Sequence, residues 1–203
     1  MRATRSSSPS DRRGASVPRV GELLVVGATE PELEGALGLA TLVCGVGPVE
    51  AAAVTARALA TERPAAVLHV GIAGARRASG VRPPALVLGA EALYCDAAGP
   101  LVTARVLPGR ALLDAARRAL PEARVLPVGT SARVGGTTGA GVEAMEGFGV
   151  LRAAELAGVP AIELHAVSNE IEELDRGQWR FAEALEALAA AIPRLAAACA
   201  RAL

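Results

Sequence analysis

Three places along this chain carry polar side chains suited to chemistry, and each stands at the end of an apolar run. Glu30, Glu32 and Glu34 follow L-L-V-V-G, Met145 and Glu146 open a run of small and apolar residues, and Ser168 and Asn169 close A-I-E-L-H-A-V. Carboxylates serve acid–base work and steady developing positive charge, while an amide donates hydrogen bonds without surrendering a proton. Each set also has an ordinary structural explanation. Acidic residues suit the positive end of a helix dipole, and a carboxylate at a helix start or an amide at a strand end can simply satisfy backbone groups. Position favours the chemical reading, because ligands of open α/β sheets bind beyond the carboxyl ends of the strands.

The elements that would place these residues follow from apolar period and punctuation. From Glu22, L-L-V-V-G reads as a central strand ending at Gly27. L-A-T-L-V-C-G-V-G-P-V-E-A-A-A-V-T-A-R-A-L-A reads as strand, glycine turn and helix. Its Gly45 and Gly47 do not complete a dinucleotide fingerprint, since Glu50 occupies the third glycine position. A-A-V-L-H-V-G is a strand leading into Ile72, Ala73 and Gly74, and Ala85 to Leu93 is another apolar run. A helix is expected over Gly109 to Leu120 and a strand near Arg124 to Val128. The run from Met145 to Ala157 reads as a helix stopped by Gly158 and Pro160, and Ala161 to Val167 as a buried strand. A long helix from about Gln178 to Leu203 shows Phe181, Leu185, Leu188, Ile192 and Leu195 at the spacing of ordinary core packing. Strands alternating with helices predict a single α/β domain, and no internal repeat is present.

Bulk composition narrows the function classes. The 203 residues carry 21 basic and 21 acidic side chains, so there is no electrostatic reason to expect nucleic acid or an anionic membrane as a partner. Every basic residue is arginine, which removes lysine Schiff-base chemistry. Four aromatic residues leave an aliphatic core. Cys44, Cys95 and Cys199 are odd in number and widely spaced, and His69 and His165 stand apart in sequence, so neither a disulfide framework nor a metal site is expected. His69, inside a strand, reads as a packed core histidine. No apolar run is long enough to span a membrane, and a cytoplasmic location is expected. Residues 1–19, rich in Ser and Arg, read as a disordered extension ahead of a domain over 20–203.

A-M-E-G-F-G and A-V-S-N resemble the signatures of the nucleoside phosphorylase and nucleosidase superfamily. With H-A-V-S-N and the later D-R-G-Q-W-R, the chain is most similar to the futalosine hydrolase family. The resemblance runs from about Glu22 to the C-terminus and is strongest in the last third. It implies a nucleoside phosphorylase-like domain with a twisted mixed central β-sheet flanked by helices, a purine nucleoside as small-molecule substrate, no metal or organic cofactor, and a homo-oligomer. The implied reaction is hydrolysis of futalosine to hypoxanthine and the dehypoxanthinyl product, a step of menaquinone biosynthesis.

The same resemblance implies residue roles. Glu32, the last acid of the motif that starts at Gly27 and Ala28, activates the attacking water. Breaking an N-glycosidic bond builds positive charge on the sugar and negative charge on the base. Glu146 takes the ribose hydroxyls in a contact that strengthens as the cation develops, and Met145 packs beneath the sugar. Asn169 stands where adenine-cleaving relatives have Asp. It donates to N7 or O6 of a 6-oxopurine, which a carboxylate would repel, and Ser168 orients it. Ile72, Ala73 and Gly74 bring backbone close to the sugar. The Ile72 side chain cannot donate to an anion and so favours water over phosphate as nucleophile. Val134, Gly135 and Gly136 line the base side, and Tyr94, Cys95 and Asp96 match a stretch near the dimer interface and the sugar end. Futalosine carries a benzoate, for which Arg76, Arg133, Arg176 and Arg180 are all candidates. Trp179 either caps the pocket or merely packs. Two rivals stand beside this reading: a 6-oxopurine nucleoside phosphorylase and a non-catalytic purine-nucleoside binding protein.

Overall fold

Strands form where aliphatic and branched residues run without interruption, and helices where alanine and leucine recur. The computed structural model describes residues 22–135 and 139–203; the expected extension over 1–19 and Gly136 lie outside the described residues. In chain order the strands are β1 (Leu23–Gly27), β2 (Ala40–Val43), β3 (Ala66–Ala75), β4 (Leu86–Tyr94), β5 (Arg105–Val106), β6 (Arg124–Thr130), β7 (Val142–Ala144) and β8 (Ala161–Glu170). The α-helices are α1 (Pro48–Thr61), α2 (Arg110–Ala119), α3 (Gly147–Leu156) and α4 (Phe181–Ala200). A 3-10 helix at Pro31–Ala36 follows β1.

β1 lies between β2 and β3 and runs parallel to both. β3 then divides its partners along its length. It pairs with β8 in parallel from Val67 onward, and at Gly74 and Ala75 also with antiparallel β7. β8 runs antiparallel to β4, β4 parallel to β6, and β6 parallel to β7. β3, β8, β4, β6 and β7 therefore close into a ring, with β1 and β2 extending the sheet beyond β3. Closure leaves those five strands with few unpaired edges.

Side-chain volume sorts into three cores. Leu68, Leu88, Leu164, Leu188 and Ile192 belong to the cluster under α2 and α4. Leu24, Val26, Val150 and Leu151 belong to the cluster under α1 and α3. The third consists of alanine and valine only, among them Ala73, Val87, Val128, Val142 and Val167, as the narrow interior of a small barrel requires. Each fully buried Leu, Ile or Val side chain contributes about 1.5–3 kcal/mol of transfer free energy.

The mixed, helix-flanked sheet agrees with the expected fold class, and three local readings are corrected. α3 begins at Gly147 rather than Met145, because Val142–Ala144 has joined β6 and β3, leaving Met145 and Glu146 in the link between strand and helix. β8 continues through Ser168 and Asn169 to Glu170, carried by its pairing with β3. Finally, Phe181 is 39% exposed at the start of α4, so the apolar stripe of that helix enters the core only from Ala184 and Leu188.

Candidate active site

A cavity of about 540 Å³ opens where β1, β3, β7 and β8 end. Glu32, Ile72, Ala73, Gly74, Val134, Gly135, Met145, Glu146, Ser168 and Asn169 all line it. These ten residues span more than a hundred positions of sequence, and the sheet brings them together. Gly136 lies outside the described residues.

Glu32 reaches the cavity from the 3-10 helix after β1, and neighbouring donors fix its carboxylate. Oε2 accepts from the backbone N–H and hydroxyl of Thr29, both at 2.9 Å, and Oε1 accepts from the Ile72 N–H at 3.1 Å. Glu146 is 7% exposed, and its Oε1 accepts from the Gly47 N–H at 2.8 Å. Gly47 has φ +98°, a conformation L side chains rarely adopt, so this donor depends on glycine. Burial raises the Glu146 pKa, opposed by the Gly47 hydrogen bond and reinforced by the charge of Glu32. Burial, then the Glu146 and Glu32 charges, pushes the Cys44 thiol up to about 12, so Cys44 stays neutral beside them.

A bulge aims the amide. β3 and β8 slip register between Ala73 and Gly74, pairing Ala73 with Val167 and Gly74 with Asn169, so Ser168 is the extra residue. The Ser168 hydroxyl lies 2.9 Å from Asn169 Oδ1 and 3.3 Å from the Ala73 carbonyl. Donation to Oδ1 fixes which end of the amide is the acceptor. Nδ2 gives one hydrogen to the Glu170 carbonyl at 3.1 Å and keeps a second. A Cβ on Gly74 would come within 3.2 Å of Nδ2, so a glycine on β3 makes room for the amide.

Behind the cavity, β8 sets Glu163 and His165 on one face, and its pairing with β3 places Glu163 beside His69 and His165 beside Gly71. The two histidines, far apart in sequence, are thus edge to face with ring centroids 5.3 Å apart, which corrects the expectation that they stand alone. His165 Nε2 meets Glu163 Oε2 at 3.0 Å with both side chains fully buried. Burial acts to lower the His165 pKa, but the hydrogen bond and charge of Glu163, followed by the charges of Glu146 and Glu32, outweigh it and raise the pKa. Burial, then the His165 charge, lowers His69 to about 3, so His69 is neutral, its Nδ1–H donating to the Val26 carbonyl at 3.1 Å. Among the described residues His69, Glu163 and His165 are the one group of metal-binding types within 4.8 Å of one another. His165 Nε2 is already engaged by Glu163, so the group reads as a buried carboxylate–imidazole pair beside a neutral histidine.

The outer cavity wall comes from the β8–α4 connection and the first turns of α4: Leu174, Arg176, Trp179, Phe181 and Leu185. Arg176 lies over the Trp179 ring, 5.4 Å from its centroid, and the Trp179 Nε1–H donates to the Glu173 carbonyl at 3.1 Å. Phe181 and Leu185 were expected to pack in the core; they face the cavity because helix α4 starts at its rim. Of the four candidate arginines only Arg176 lines it. Arg180 donates to Glu183 and the Pro83 carbonyl, and Arg76 to the Ala140 carbonyl. Tyr94, Cys95 and Asp96 do not line the cavity either. Tyr94 stacks on Phe148 of α3, and Asp96 accepts from the Ser131 hydroxyl and the Ala132 N–H, so the end of β4 is spent on packing and loop structure.

Sequence reasoning passed over Glu143, 6% exposed on β7 and accepting from the Gly135 N–H at 3.2 Å. The V-E-A-M-E spacing holds the signal, since a strand through Val142–Ala144 sets its middle residue opposite its neighbours. Thr29, which secures Glu32, was also passed over, and nothing in its local sequence marks it.

Solved structures share this architecture. The futalosine hydrolase of Helicobacter pylori matches with TM-score 0.76 at 14% identity, over 87% of this chain and 97% of that one. A methylthioadenosine/S-adenosylhomocysteine nucleosidase from Colwellia psychrerythraea, solved with adenine, matches with TM-score 0.74 at 20% identity, over 91% and 96%. The chain has the nucleosidase fold. No family model matches it. In sequence, this nucleosidase-fold chain is 57% identical to the futalosine hydrolase of Streptomyces coelicolor over 58 residues, 29% of this chain and 25% of that protein. The match thus spans about a quarter of that curated relative. Among the described residues, no helix is long and apolar enough to cross a membrane.

Proposed function

We propose that the chain is an N-ribosyl hydrolase that cleaves futalosine to hypoxanthine and the dehypoxanthinyl product in menaquinone biosynthesis. The observation that carries this reading is the convergence of two anchored carboxylates and one oriented amide on a single cavity. Glu32 takes a proton from water as the oxygen attacks the anomeric carbon. The bond from that carbon to the purine nitrogen breaks, and its electron pair leaves with the base. Glu146 holds the ribose hydroxyls and opposes the positive charge that develops on the sugar. The second Nδ2 hydrogen of Asn169 donates to the 6-oxopurine, which departs as an anion and takes its proton from solvent.

Specificity follows from the same atoms. Oδ1 of Asn169 is occupied by Ser168, so the amide presents a donor, which suits a carbonyl oxygen or N7. Arg176, stacked on Trp179 at the rim, is placed to meet the benzoate. The phosphorylase alternative has less support. The Ile72 N–H, a donor a phosphate would need, is committed to Glu32, and Glu32, Glu143, Glu146 and Glu173 line the cavity against one arginine. A non-catalytic binder would have no use for a carboxylate held by three donors, as Glu32 is.

The test incubates purified protein with futalosine, inosine and methylthioadenosine, with and without phosphate, and measures free base. Release of hypoxanthine from futalosine, unchanged by phosphate, is expected. Phosphate dependence would favour the phosphorylase, and tight binding without any base release would favour the binder. The homo-oligomer implied by resemblance is part of the proposal and is checked by light scattering.

A further inference from the structure

The cavity leaves one ionic group unused. Glu163 and His165 are fully buried behind the β3 wall, in a space that Gly89 and Gly147 provide, since a Cβ on either would overlap Glu163. Such a pair is costly to bury and adds little stability by itself. One atom points back toward the chemistry. His165 Nδ1 is buried without a protein partner, and Gly71 separates it from Glu32. A Cβ on Gly71 would stand 3.1 Å from Glu32 Oε1 and 3.5 Å from His165 Nδ1. Because Gly71 has none, the carboxylate and the imidazole face one small space beside its Cα.

We propose that His165, gripped by Glu163, is a positioning residue for Glu32, its Nδ1–H reaching the Glu32 carboxylate through one water seated beside Gly71. The inference rests on the proposed hydrolase reading for what Glu32 does, and on geometry for the contact itself. Glu32 and Glu146 repel one another inside one cavity, and an ionised base there needs a cation close by. Arg176 stands at the rim, on the solvent side. The imidazolium supplies the inner charge, donating Nε2–H to Glu163 and Nδ1–H toward Glu32. The charged and titratable groups bearing on His165 are Glu163 on β8, His69 on β3, Glu32 after β1 and Glu146 ahead of α3, and their balance raises its pKa. As pH rises through that pKa the cation is lost, Glu32 keeps only its neutral donors from Thr29 and Ile72, and turnover falls.

Two measurements test this, one independent of turnover. The chain has only two histidines, and His69 stays neutral down to about 3, so nitrogen NMR of the labelled protein follows His165 without ambiguity. His165 is expected to titrate above 6.5, the ordinary value for histidine, and Glu32→Gln to lower its pKa by at least about half a unit. An unchanged His165 pKa in Glu32→Gln overturns the proposal. In the kinetic arm with futalosine, Glu163→Gln is expected to lower kcat about tenfold with KM nearly constant and to shift the alkaline limb to lower pH. Superimposable pH profiles overturn it as well. If Glu163→Gln does not fold, Gly71→Ala, which sets one methyl between the two groups, carries the kinetic arm with the same expected loss of kcat. Wild-type protein that leaves futalosine intact would sink the hydrolase reading, while the NMR titration would still decide the His165–Glu32 contact.

Discussion

Glu146 is held where a carboxylate is least comfortable. It is 7% exposed, its pKa is raised chiefly by burial, and the backbone N–H of Gly47 supports it. A carboxyl whose folded pKa lies above its unfolded value stabilises the fold most when protonated, and that contribution is lost as pH rises through the folded pKa. Ionising Glu146 therefore costs the fold stability. Glu146→Gln keeps the shape and removes the charge. It is expected to abolish at least 99% of futalosine turnover, roughly the 2.7 kcal/mol that loss of one such transition-state contact brings, while the melting temperature holds or rises. A melting temperature that falls along with activity would mean that Glu146 is a structural cap.

At the scale of elements, the β8–α4 connection joins the reacting end of the cavity to its mouth. Asn169 and Glu170 end β8, and within about ten residues the chain supplies Leu174, Arg176 and Trp179 to the rim. A substrate arm that leaves the sugar toward solvent crosses this connection. Arg176→Ala is therefore expected to raise KM for futalosine by about ten- to a hundredfold, the range for losing a charge-assisted hydrogen bond, with little change in kcat. Inosine, which lacks the benzoate, serves as control, and its KM should not move. Equal losses on both substrates would place the arginine's role in the fold of the connection.

At the scale of the whole molecule, β8 lies inside the closed ring, flanked by β3 and β4. Leu164 is fully buried between those strands and under α4. Leu164→Ala is expected to cost about 2–5 kcal/mol, and at about 2–4 °C per kcal/mol for a chain of this size a calorimetric melt should show it. Acid sensitivity is a second global property. His69 has its pKa lowered to about 3 in the fold, below the usual histidine value of 6.5, so the unfolded chain binds a proton that the fold refuses. Stability falls as pH drops below about 6.5, by up to about 1.4 kcal/mol per unit from this group. His165 acts oppositely, since its folded pKa is raised: its contribution is full below 6.5 and lost as pH rises through the folded value. His69→Gln is expected to flatten the acid decline between pH 6.5 and 4 in denaturant titrations, and a slope unchanged from wild type would show that other groups govern it.

The linear order of residues by itself determined the alternation of strands and helices, the stop at Gly158 and Pro160, and the presence of polar residues where apolar runs end, because these depend on neighbours within a few positions. It marked Glu146, Ser168 and Asn169 for the same reason, whereas Glu32 stood out from Glu30 and Glu34 only through the family resemblance. Long-range pairing decided the rest. Val142–Ala144 is too short to be recognised as a strand until β3 and β6 flank it, and taking it as strand moves the start of α3 past Glu146. His69 and His165 meet only through the β3–β8 register, and Gly71 separates one of them from Glu32 only because a missing side chain on one strand faces a filled position on the next. The choice of Arg176 among four arginines depended on where α4 begins relative to the cavity rim. Local sequence encodes what each segment prefers to be, whereas contacts between segments remote in sequence are settled by burial and hydrogen-bond registry over the whole sheet.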